Sequence, residues 1–126
     1  MNAASARRRL IVDTRDVQET LARRLRTMFP DSRARDQVAT LLARYGSEPS
    51  EHEPDRVRLD ILKLAGSSIE AVETWVNVAK TDYRDVLAAA EYPSQLRSPT
   101  WKLTEEDLSR IALIDRKQYT DWLDRE

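Results

Sequence analysis

The 126 residues are about enough for one domain; 40% are hydrophobic, only 6% aromatic and 34% charged, with a net charge of -1. With 2 Gly, no Cys and a single His, His52, the chain cannot build a glycine-cradled phosphate loop, a disulfide, a thiolate metal centre or a two-histidine metal site. Few glycines and many charges predict an all-α fold, a single-domain bundle of about five helices rather than a β-sandwich.

Residues 1–12 read as a basic tail containing Arg7, Arg8 and Arg9, and residues 13–126 as the helical domain. The first helix is expected to start at an Asp13 cap, with Val12 and Val17 as a hydrophobic staple. Val17, Leu21, Leu25 and Met28 follow helical spacing until Pro30. Asp31 opens a second helix with Ala34, Val38, Leu41, Leu42 and Tyr45 on its apolar stripe, and Gly46 closes it. The stretch Ser47–Glu53 reads as a solvated polar loop. Its neighbourhood offers Glu48, Glu51, His52, Glu53 and Asp55, but no calcium-loop pattern.

A third helix begins near Pro54, with Ser50 and Glu53 as a capping box, and ends at Gly66. It is apolar almost all round; Arg56, Asp60 and Lys63 share a narrow polar arc, so the helix is expected at the centre. The fourth helix is expected to run unbroken over about 68–91, capped by Ser67 and Glu70, with Glu73, Lys80, Arg84 and Glu91 pointing outward. Pro93 stops it, and 92–103 reads as a linker with Trp101 packed over the end of the bundle. A fifth helix opens at Thr104, with Asp107 completing a capping box and Leu108, Ile111, Tyr119, Trp122 and Leu123 facing inward.

The segments RVRLDILKLAG (56–66) and KTDYRDVLAAAEYP (80–93) resemble those of a group of small uncharacterised bacterial proteins. There a similar ILKLAxG turn precedes a similar DYRDVLAAAEYP helix. The resemblance spans about residues 55–97, a third of the chain, and implies no activity, cofactor or site.

Four features are candidates for function. Trp75, Asp82 and Asp85 are expected to form a partner-binding edge, with Trp101 as a second exposed aromatic. Asp115 and Arg24 both fall inside apolar arcs, which predicts an inter-helix ion pair, because a buried charge needs a partner. Residues 1–47 carry 10 Arg against 5 acids and the remainder 11 cations against 17 acids, net +5 and -6. That split predicts two halves that attract each other. Alternatively, Arg7, Arg8, Arg9, Arg33 and Arg44 form a phosphate-binding surface. No nucleophile elbow, Walker loop, dinucleotide fingerprint or zinc-protease motif is present. The expectation is a cytoplasmic, non-enzymatic protein–protein interaction or accessory module without cofactor or metal, binding a protein or a second copy of itself. A nucleic-acid-associated regulator is the alternative.

Overall fold

Valine, leucine and isoleucine at helical spacing give the chain its centre: Val38, Val57, Ile61, Leu62, Val72, Val76 and Val86 are all withdrawn from solvent. The computed structural model describes residues 14–98 and 100–125. Within them are α1 (Thr14–Met28), α2 (Ser32–Leu42), α3 (Pro54–Ala65), α4 (Ile69–Thr81), α5 (Tyr83–Glu91), α6 (Pro93–Arg97) and α7 (Glu105–Asp124). A short 3-10 turn, Thr100–Lys102, joins α6 to α7. The fold is all-helical, with no strand among the described residues.

Helix α3 is the hub. It packs against α1, α4 and α5, while α2 lies on α4, and α7 lies on α5 and α6. This central place follows from its sequence: Val57, Leu59, Ile61, Leu62 and Ala65 point in nearly every direction and all are buried.

Local caps set several boundaries. The Asp31 carboxylate accepts the Ala34 N–H at 2.9 Å and starts α2. Thr104 and Asp107 form the expected reciprocal capping box on α7, with bonds of 3.0 and 3.2 Å. At α4 the cap is Ser68, one residue later than expected, accepting from the Ala71 N–H at 3.2 Å. The Asp13 cap and its staple through Val12 lie outside the described residues.

Three expectations need correction. First, 68–91 is two helices. Asp82 is extended, at φ -157° and ψ 104°, and it closes α4 while opening α5 through a 3.0 Å bond from the Arg84 N–H to its own carboxylate. A short polar side chain that competes for backbone N–H groups ends a helix that apolar periodicity alone would continue. Second, residues 92–103 are not a bare linker, because Pro93 occupies the first turn of α6, where its missing N–H costs nothing. About five helices thus become seven among the described residues.

Third, no Ser50–Glu53 capping box forms. Glu53 itself precedes α3 in the left-handed region at φ 47°, without a side-chain cap bond. The loop before it is tightly tied instead. Glu51 accepts from the Gly46 N–H at 2.8 Å and pairs with Lys80 at 2.8 Å, and the Tyr45 hydroxyl donates to the His52 carbonyl at 2.7 Å. The bond from Lys80 is the main reason the Glu51 carboxyl is held below its usual range. Arg58 reaches back to the carbonyls of Leu42 and Tyr45 at 3.1 and 2.7 Å, satisfying acceptors left over at the end of α2. Gly46 has φ +96°, and a Cβ there would come within 2.5 Å of the Pro54 Cβ. Only glycine fits that turn.

Candidate functional site

The largest concentration of buried polar groups lies where α3, α5 and α7 meet. Asp60, fully buried on α3, receives the Tyr119 hydroxyl from α7 on one oxygen. Its other oxygen has no donor among the described residues. Glu91, at the end of α5, is gripped by Arg56 of α3 through Nε and Nη2 at 2.8 and 2.5 Å. Arg56 also pairs with Glu53 at 3.1 Å.

Each group is shifted by its surroundings. Burial pushes the Asp60 carboxyl well above its ordinary range, and the adjacent Glu91 pushes it further. Burial also pushes Glu91 upward, but Arg56 and the contact with Asp60 outweigh it and hold the carboxyl low. Burial, then the Asp60 charge, raises the Tyr119 hydroxyl. The half-buried Lys63 is lowered by burial. A cavity of about 20 Å³ beside Arg56, Glu91 and Tyr119 is on the scale of one water molecule and leaves no room for an organic substrate.

The helical-wheel reading missed this cluster. Asp60 and Arg56 were expected on a polar arc, and Glu91 on the outside of its helix. In the structure Asp60 and Glu91 are buried and Arg56 reaches inward. A helix surrounded on nearly every side has no true outer arc, so its polar residues must find partners within the fold. That reasoning, applied to the hub helix, was the available signal.

The expected Arg24–Asp115 ion pair is not formed, although both side chains are buried as anticipated. Asp115 accepts the N–H groups of Ser94 and Gln95 at 3.0 and 3.2 Å, so a carboxylate from α7 caps α6 across 20 residues of chain. Arg24 lies 4.8 Å over the Trp122 ring and donates to the Arg125 carbonyl, while Arg23 donates to the carbonyls of Leu123 and Arg125. Burial, with Arg23 and Arg125 nearby, lowers the Arg24 guanidinium from its ordinary value. For Arg24 and Asp115, backbone groups stand where the opposite charge was expected.

The exposed apolar groups are equally localised. Among the described residues every large hydrophobic side chain with substantial exposure lies in 92–114: Tyr92, Leu96 (61%), Trp101 (79%), Leu113 (63%) and Ile114 (54%). Trp101 therefore does not pack over the bundle end; its ring is covered only by the Lys102 ammonium, 4.7 Å from the centroid.

The other expected edge is divided. Trp75 is partly buried against the core, Asp82 is taken up by capping α5 and pairing with Arg84 at 3.0 Å, and Asp85 is exposed. Of the arginines, Arg44 pairs with Glu73 at 3.1 Å and Arg33 is exposed, while Arg7, Arg8 and Arg9 lie outside the described residues. The loop around His52 forms no metal-ligating group among the described residues, and the His52 ring instead lies 5.3 Å from that of Tyr83.

Comparison with protein-family models, curated proteins and solved structures finds no match to the chain. Among the described residues no helix is long and apolar enough to cross a membrane.

Proposed function

We propose that this is a non-enzymatic protein–protein interaction module that docks its partner on the α6–α7 hairpin. The observation that carries the reading is the gathering of Leu96, Trp101, Leu113 and Ile114 as exposed apolar groups on that one segment. Exposed tryptophan and other exposed large apolar side chains mark interfaces, because their burial on binding is what drives association. The partner is another protein or a second copy of this chain. A cytoplasmic setting belongs to the same proposal. So does the resemblance of about residues 55–97 to segments of small uncharacterised bacterial proteins; it covers α3, α4, α5 and α6 and brings no activity with it.

The nucleic-acid reading has less support. Arg44 is engaged by Glu73, and Arg23 and Arg24 hold the C-terminal backbone, so three basic-half arginines already face the other half of the chain.

Affinity capture with nuclease present, at two salt concentrations, tests the proposal when run beside a Trp101→Ser, Leu113→Ser variant. A stoichiometric protein, or a self-associated species in sedimentation, that survives nuclease and is lost in the variant is the expected result. Recovery abolished by nuclease, or capture indifferent to both substitutions, overturns it.

A further inference from the structure

We propose that Asp60 and Glu91 hold a single proton between them, and that this proton fastens α5 to α3. Asp60 is 0% exposed, and one of its oxygens meets no N–H or O–H donor among the described residues. An ionised carboxylate in that position would carry charge on a fully buried oxygen that no donor among the described residues reaches, so the group neutralises instead. The neighbouring carboxyl is Glu91, which lines the same small cavity as Arg56 and Tyr119, the residue bonded to Asp60, and which acts on Asp60 directly. Two ionised carboxylates facing each other repel. One proton converts the repulsion into a charge-assisted O–H···O bond.

Arg56 decides where the proton rests. Its guanidinium takes both Glu91 oxygens and keeps that carboxylate charged, so Asp60 carries the proton, donates to Glu91 and accepts from Tyr119. The surroundings are then balanced. From α3 come the cations Arg56 and Lys63; from α5 comes Glu91; from α7 come Tyr119 and Asp115, the latter acting on Lys63. Helix α1 presents Val17 and Thr20 to the adjoining cavity, its buried Arg24 being stacked on Trp122. On α4 the ionisable residues Glu70, Glu73 and Lys80 are exposed.

The sign of the pH dependence follows. Asp60 is held above its ordinary value, so over that interval the native state binds a proton that the unfolded chain has lost, and stability falls as pH rises. Glu91 is held low, so its contribution is present above the ordinary range and is lost as pH falls through the depressed value. The pair stabilises most near the usual carboxylate range, about pH 4, and weakens toward alkaline pH.

Carboxyl-carbon NMR on the full chain with labelled aspartate tests this directly. One aspartate should remain protonated at neutral pH, and its signal should vanish in Asp60→Asn. The unfolding constant of the native chain relative to Asp60→Asn should rise by up to tenfold per pH unit above about 4. In Glu91→Gln the retained proton should be lost at lower pH, since the neighbouring negative charge is gone. Amide protection at the end of α5, around Glu91, should fall in the native chain in step with the Asp60 titration. Should Asp60→Asn fail to fold, the native spectrum still decides. If every aspartate is ionised by neutral pH, or if Glu91→Gln leaves the Asp60 titration unmoved, the proposal is overturned.

Discussion

Around α3, Val57, Ile61 and Leu62 disappear into an apolar core shared with α1, α2, α4, α5 and the last turns of α7, whereas α6 and the first half of α7 place no buried apolar side chain in it and are held by polar links. Asp115 on the Ser94 and Gln95 N–H groups ties α6 to α7, while Tyr119 on Asp60 and Arg23 and Arg24 on the C-terminal carbonyls tie the end of α7 to α3 and α1, with Trp122 and Leu123 adding apolar cover. The difference matters because apolar burial is non-directional and degrades gradually. A hydrogen-bonded link in a dry site is made or lost as a whole. The centre is therefore built to stay folded, and the hairpin to be held or released by a few groups.

Truncating the centre should break the comparison most completely. Ile61→Ala should cost about 3–4 kcal/mol and lower the denaturation midpoint of centre and hairpin together, since the hairpin has nothing else to rest on. Gly46→Ala should cost about 2 kcal/mol or more in the same assay, because the new methyl group meets Pro54 and Arg58 in a left-handed turn. Asp115→Ala should cost about 2 kcal/mol but act locally, stripping protection from the amides of Ser94 and Gln95 in hydrogen exchange while those of Ile61 and Leu62 stay protected. Equal loss at all four amides would erase the distinction between the two regions. Trp101→Ala should change stability by less than about 0.5 kcal/mol, as expected for a side chain in solvent, while removing partner binding.

What could be read in advance divides along the range of the interaction. The caps at Asp31 and Thr104 were legible because donor and acceptor are three residues apart. The buried apolar stripes were legible because periodicity records which face avoids water. Asp115 was legible as buried but not as the cap of α6, since its partners are 20 and 21 residues away and the helix it caps begins with a proline that reads as a stop. Asp82 was hidden for the opposite reason: apolar spacing runs through it from Ala79 to Val86, and only the competition of its own side chain for the Arg84 N–H breaks the helix. Asp60 and Glu91 were misread because polar character was equated with exposure, which fails on α3 and at the end of α5.

Asp82 ends one helix and begins the next with no residue in between, so the chain has no slack at that corner. Everything downstream is phased from it. A helix advances about 100° per residue, so a single residue inserted after Asp82 would rotate Glu91 by more than a quarter turn and swing its carboxylate away from Arg56. The spacing between that corner and Glu91 is thus a length constraint on the gene: an exposed position such as Asp85 is negotiable, whereas insertions and deletions anywhere along 83–90 are not.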